Sequence, residues 1–88
     1  MKSEPVGLEF PCSFPLKAMG LQADDFEALV VGIVRRHVPE LLEENITSRS
    51  SGGDKYRSVS FEFIANSREQ VDALYIELSS HKRVLMIL

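Results

Sequence analysis

The sequence predicts an α+β fold in which two strand–helix–strand halves share one antiparallel sheet. Three observations carry this reading. Apolar residues alternate with polar ones over residues 56–66, the period of a half-buried strand. They recur at steps of three and four from Phe26 to Val38 and again from Val71 to Leu78, the period of a helix with one buried stripe. A glycine-rich turn, Ser51-Gly52-Gly53-Asp54, stands between the two halves.

The elements follow in order. Residues 1–11 hold charges, a glycine and two prolines without a regular period, and read as a loosely docked arm that Leu8 and Phe10 could pin to a core spanning 12–88. Over residues 13–21, Phe14, Leu16 and Ala18 alternate with Pro15, Lys17 and Met19, a first strand that Gly20 is expected to break. Asp24 with Glu27 has the spacing of a capping box and opens a helix whose stripe is Phe26, Leu29, Val30, Ile33, Val34 and Val38. Pro39 disfavours helical geometry at Val38 and sets the stop near His37.

Residues 44–50 are polar apart from Ile46, which suits a short edge strand. The strand after the turn places Val59, Phe61, Phe63 and Ala65 on one face and is expected at the centre of the sheet. Ser67 with Gln70 forms a second capping box, followed by Val71, Leu74, Tyr75 and Leu78, and residues 84–88 close the chain as a strand. Two such halves make the ferredoxin-like βαββαβ sandwich: a four-stranded antiparallel sheet in the order 4-1-3-2, with both helices on one face.

Bulk properties narrow the function. At 88 residues the chain is one domain with a thin core. A net charge of -3 argues against a general nucleic-acid coat, which needs a basic excess. Apolar runs fall short of the roughly 20 residues that span a bilayer, and the first residues lack the apolar stretch of a signal peptide, so a cytoplasmic, membrane-free protein is expected. The single Cys12 fits a reducing compartment.

The expected topology gathers three loops, 20–25, 51–55 and 79–82, at one end. At the other it places Arg35, Arg36 and His37 beside Asn66, Ser67 and Arg68, where an anion or acidic partner could meet a helix amino-terminus. The sheet face away from the helices should show Lys17, Met19, Ser58, Ser60, Glu62 and Ile64, with either Leu85 and Ile87 or Val84 and Met86. A last strand apolar on both sides is an aggregation hazard if left open, so a homodimer through the sheet face or this strand is expected.

Catalytic chemistry finds no constellation. Cys12, His37 and His81 lack the paired spacing of metal ligands, and no cofactor is called for. Ser50, Ser51, Ser79 and Ser80 near His81 read as turn serines, Asp24 and Asp25 as capping residues. Ser51-Gly52-Gly53 lacks the lysine and hydroxyl of a phosphate loop. RNA-binding modules with this element order stack bases on aromatics of strands one and three, whereas here Ser58, Ser60 and Glu62 are expected to face outward, which argues against nucleic acid as a partner of this face.

Phe10-Pro11, Lys17-Ala18-Met19-Gly20, Arg36-His37-Val38-Pro39, Tyr56-Arg57-Ser58-Val59-Ser60, Glu69-Gln70-Val71, Leu74-Tyr75 and Glu77-Leu78 resemble the YbeD-like family of small bacterial proteins. That resemblance covers residues 10–88, with 40–46 weakly matched. It implies a ferredoxin-like fold similar to the small-molecule regulatory modules called ACT domains, and no established activity. Carried over by position, the analogy reaches Gly20, Leu21 and Asp24 as ligand-binding candidates. The reading that results is a non-enzymatic binding or regulatory module that self-associates and takes a small molecule or protein. Its alternative is an adaptor that meets an acidic protein or nucleic acid through Arg35, Arg36, His37 and Arg68.

Overall fold

A computed structural model describes residues 9–88. The elements are β1 (Cys12–Leu21), α1 (Phe26–His37), a single 3-10 turn (Glu43–Asn45), β2 (Ile46–Ser51), β3 (Tyr56–Ala65), α2 (Arg68–Ser80) and β4 (Met86–Ile87). The sheet runs β2-β3-β1-β4 with every pairing antiparallel, the expected order read from the opposite edge. Of the expected arm, the part up to and including Leu8 lies outside the described residues, while Phe10 packs against the core.

The core forms between the sheet and the helices from the stripes their periods dictate. Leu16 and Ala18 of β1 and Val59, Phe61, Phe63 and Ala65 of β3 meet Phe26, Val30, Ile33 and Val34 of α1 and Val71, Leu74 and Leu78 of α2, all buried. Phe14 packs at 5.8 Å on Phe63 and edge-on against Tyr75 at 6.5 Å, extending this layer toward the start of β1. Val38 leaves the helix at φ −133°, ψ 77°, outside the α region that the following proline disfavours, and α1 ends at His37.

Four local expectations need correction. Gly20 does not break β1: it pairs with Arg57 inside the β1–β3 ladder, and the strand ends one residue later. Asp24 is not the cap of α1, which starts at Phe26 after Asp25, and no side chain caps it. The Asp25 carboxylate is turned instead to Arg83. Residues 43–45 form a 3-10 turn, so β2 begins only at Ile46.

The last strand is the fourth. Only Met86 and Ile87 sit in regular register with β1, although backbone bonds from Leu85 N–H to the Met19 carbonyl and between Leu88 and Lys17 extend the contact. Ile87 and Val84 face the core while Leu85, Met86 and Leu88 are exposed, so neither expected alternation runs through the segment. Val84 belongs to a turn, its N–H donating to the His81 carbonyl, and the strand settles into its period only after it.

The second capping box forms, with one displacement. Ser67 Oγ accepts from the Gln70 N–H at 3.1 Å, and Gln70 Oε1 accepts from the N–H of Asn66. Gln70 Nε2 also donates at 2.8 Å to the carbonyl of His37, which ties the end of α1 to the start of α2. The hairpin turns through Gly52, Gly53 and Asp54 with φ of 62°, 66° and 69°, a run of left-handed residues that two glycines and an aspartate supply at low strain.

Candidate functional site

The end of the sandwich where three loops meet is built around Gly20 and Arg57, which face each other across β1 and β3 on the helix side of the sheet. A Cβ at Gly20 would lie 2.3 Å from the Arg83 carbonyl oxygen and 2.5 Å from the Phe26 ring, so only glycine lets the first turn of α1 and the loop before β4 close on the strand together. Gln22 N–H donates to the Lys55 carbonyl at 2.9 Å, joining the β1–α1 turn to the hairpin. Arg57 completes that join: its Nε donates to Gln22 Oε1 and its Nη1 to Ser48 Oγ, each at 2.7 Å.

A bidentate pair holds the third loop. Arg83 reaches both oxygens of Asp25, at 2.7 and 3.0 Å. The hydrogen bond from that guanidinium holds the Asp25 carboxyl below the usual aspartate range. A carboxyl depressed in the folded state stabilises the fold at pH above its unfolded pKa, and that stabilisation is lost as pH falls through the folded value. Asp25→Asn should therefore melt slightly below the parent at neutral pH, with the gap closing below about pH 4. Thermal melts of both proteins from neutral to strongly acidic pH check this; a gap that persists in acid would assign the effect to packing instead.

Of the ligand candidates, Gly20 is covered by Phe26 and Arg83, Leu21 is 55% exposed, and Asp24 borders a groove of about 540 Å³ between α1 and the start of β2. The three therefore sit on one turn but do not share one cavity.

At the opposite end each expected cation faces a carboxylate. Arg36 pairs with Glu77, and His37 Nε2 lies 2.7 Å from the other oxygen of the same group. Arg35 lies 3.8 Å from Glu43 and Arg68 3.9 Å from Asp72. Ser67 is occupied as the cap of α2. The structure thus places Arg35, Arg36 and His37 on one helix end with Ser67 and Arg68 on the next, and sets a carboxylate beside each arginine and beside His37 Nε2.

Sequence reading missed Arg57 and Arg83. Arg57 lies at an inward position of β3, a signal available once the faces were set; Arg83 becomes informative only when the α2–β4 loop is folded back on α1. Among the described residues no three His, Cys, Asp or Glu side chains group to hold a metal, and no helix is long and apolar enough to cross a membrane.

Residues 6–88 match the family described as a protein of unknown function, DUF493. A UPF0250 protein of Chromobacterium violaceum is 40% identical over 80 residues, covering 91% of this chain and 90% of the relative. One from Hahella chejuensis is 38% identical over 87 residues, covering 99% and 96%. The solution structure of protein HP0495 from H. pylori superposes with a TM-score of 0.69 at 11% identity, over 98% of this chain and 90% of that one, and so shares the small α+β fold. These matches indicate no enzymatic family. The chain belongs to the DUF493 family, the small YbeD-like bacterial proteins that its residues resemble.

Proposed function

We propose that the protein is a non-enzymatic binding module that acts as a homodimer paired through β4. The observation that carries this is an open, apolar edge. β4 ends the sheet, and Leu88 exchanges both backbone bonds with Lys17, so the N–H and C=O of the neighbouring Ile87 point away from β1. Outward beside that edge, Leu85, Met86 and Leu88 are each about half exposed or more, and Met19 pairs with Met86 on the same face. A two-fold axis beside Ile87 would pair the two strands antiparallel and bring these residues together.

The β1–α1 turn is the proposed ligand position, with Leu21 and Asp24 exposed to a small molecule and Gly20 fixing the turn. It lies next to the loop that leads into β4, joined to it through Asp25 and Arg83. A ligand there would act on the strand that pairs the copies. The reading as an adaptor for acidic partners has weaker support, because Arg36 and His37 both converge on Glu77, which already occupies them.

Sedimentation over roughly a hundredfold range of concentration tests the pairing. A mass that rises to twice the monomer is expected, and Met86→Lys, which sets a charge against the apolar Leu88 of the other copy and diagonal to its own counterpart, should return it to one. A strict monomer throughout, or a dimer unaffected by Met86→Lys, would overturn it.

A further inference from the structure

We propose that the far half of β3 is a docking edge for an extended, basic segment of another protein, added to the sheet as a strand in line with β2. β1 pairs with β3 along its whole length, from Cys12↔Ala65 to Leu21↔Tyr56. β2 covers only Tyr56 to Phe61, because the chain before Ile46 coils into the 3-10 turn and the Ile46 N–H donates to the Glu43 carbonyl. Lys17 exchanges its backbone bonds with Leu88, so the even residues of β1 bond β3 and the odd residues of β3 bond β1. On the β2 side, the N–H and C=O groups of Glu62 and Ile64 therefore have no hydrogen-bond partner among the described residues. An unpaired edge of this kind recognises any extended chain through its backbone.

The side chains beside the edge say which chain. A groove of about 410 Å³ runs along it, with Leu41 and Phe63 as floor and Leu42 and Ile64 on its walls, 54% and 57% exposed. Glu40 and Glu62 stand on its rim, and no lysine or arginine lines it. Glu62 accepts from Ser13 Oγ through one oxygen, which orients the carboxylate without neutralising it. A strand with apolar residues on one side and lysine or arginine on the other fits this surface. A second copy does not: pairing this edge with itself about Phe63 would set each Glu62 opposite the apolar Ile64 and diagonal to the other Glu62, in a chain already at net charge -3.

The test uses the full chain, isotope-labelled for NMR, and a blocked seven-residue peptide alternating lysine and valine. Binding is expected to shift amides of residues 40–42 and 62–66, and to weaken as salt rises. Glu62 is exposed, so Glu62→Lys should leave the melting temperature unchanged while weakening the peptide by about tenfold or more. A peptide N-methylated at alternate residues, on the side that faces the edge, should lose binding, which a purely electrostatic contact would not require. Met86→Lys should leave binding intact, separating this edge from β4. Equal binding by the peptide with glutamate for lysine, equal binding to Glu62→Lys, tolerance of N-methylation, shifts confined to residues 84–88, or no shift at all would each overturn the proposal.

Discussion

Phe61→Ala is expected to destabilise the fold by about 3 to 5 kcal/mol, as complete truncation of a buried ring does when its surroundings cannot collapse. Phe61 is 3% exposed at the middle of β3, paired with Leu16 on one side and Ile46 on the other, with both helices closing over the same layer. A domain of this size has total stability on the order of 5 to 10 kcal/mol, so the variant should sit near its unfolding midpoint in water. Phe63→Ala, 5% exposed and stacked with Phe14, should cost a comparable amount. Ile64→Ala is the internal control: it lies between these residues in sequence but points to the other face, 57% exposed, and should change stability by less than about 1 kcal/mol. Urea denaturation of the three variants checks the set. A loss below about 1 kcal/mol for Phe61→Ala would mean that the β3 core is loosely packed.

That pattern of faces was legible because it depends on period alone. Val59, Phe61, Phe63 and Ala65 needed only alternation, and Phe26, Val30, Ile33 and Val34 only steps of three and four; all are buried as expected. Pro39 and the Ser67–Gln70 box are local stereochemistry, and both ends they mark are where the sequence places them. What failed was decided by tertiary contact. Gly20 looked like a strand breaker because its lack of a side chain was read as conformational freedom, whereas its role is to admit Phe26 and the Arg83 carbonyl. Asp24 had the spacing of a cap, but the helix begins two residues later and Asp25, at the cap position, is drawn to Arg83, 58 residues away. No local pattern could announce that pair.

The candidate surfaces divide in the same way. Exposure of Glu62 and Ile64 and the apolar character of the last strand followed from alternation and composition. The gap left by β2 did not, because it arises from the 3-10 turn at Glu43–Asn45, in a segment whose polar residues were equally compatible with a strand. Nor could the sequence show that Arg36 and His37 meet Glu77, which requires the crossing of α1 and α2.

Gly20→Ala is expected to destabilise by about 1 to 3 kcal/mol or more, against the trend for its secondary structure. In an open strand alanine would be the better residue by about 0.5 to 1 kcal/mol, since glycine loses more backbone freedom on folding. The sign therefore reports whether the space exists. It does not: the new methyl would meet the Arg83 carbonyl at 2.3 Å and two ring atoms of Phe26 at 2.5 and 2.7 Å. Phe26 is fully buried among core residues and cannot retreat without opening a cavity. The Arg83 backbone is the softer partner, held by the exposed pair with Asp25 and by a short turn. The strain should accordingly push the α2–β4 loop outward and loosen β4, where only two residues lie in regular register. Amide exchange locates the damage: the Leu85 and Leu88 N–H groups, bonded to Met19 and Lys17, should lose protection while the β1–β3 ladder keeps it in proportion to the remaining global stability. If β4 is the strand through which two copies pair, the same substitution should weaken the dimer without touching any residue of its interface. A neutral or stabilising Gly20→Ala would show that the contact between the β1–α1 turn and the approach to β4 is not tight, and would remove the path by which a ligand at that turn could influence pairing.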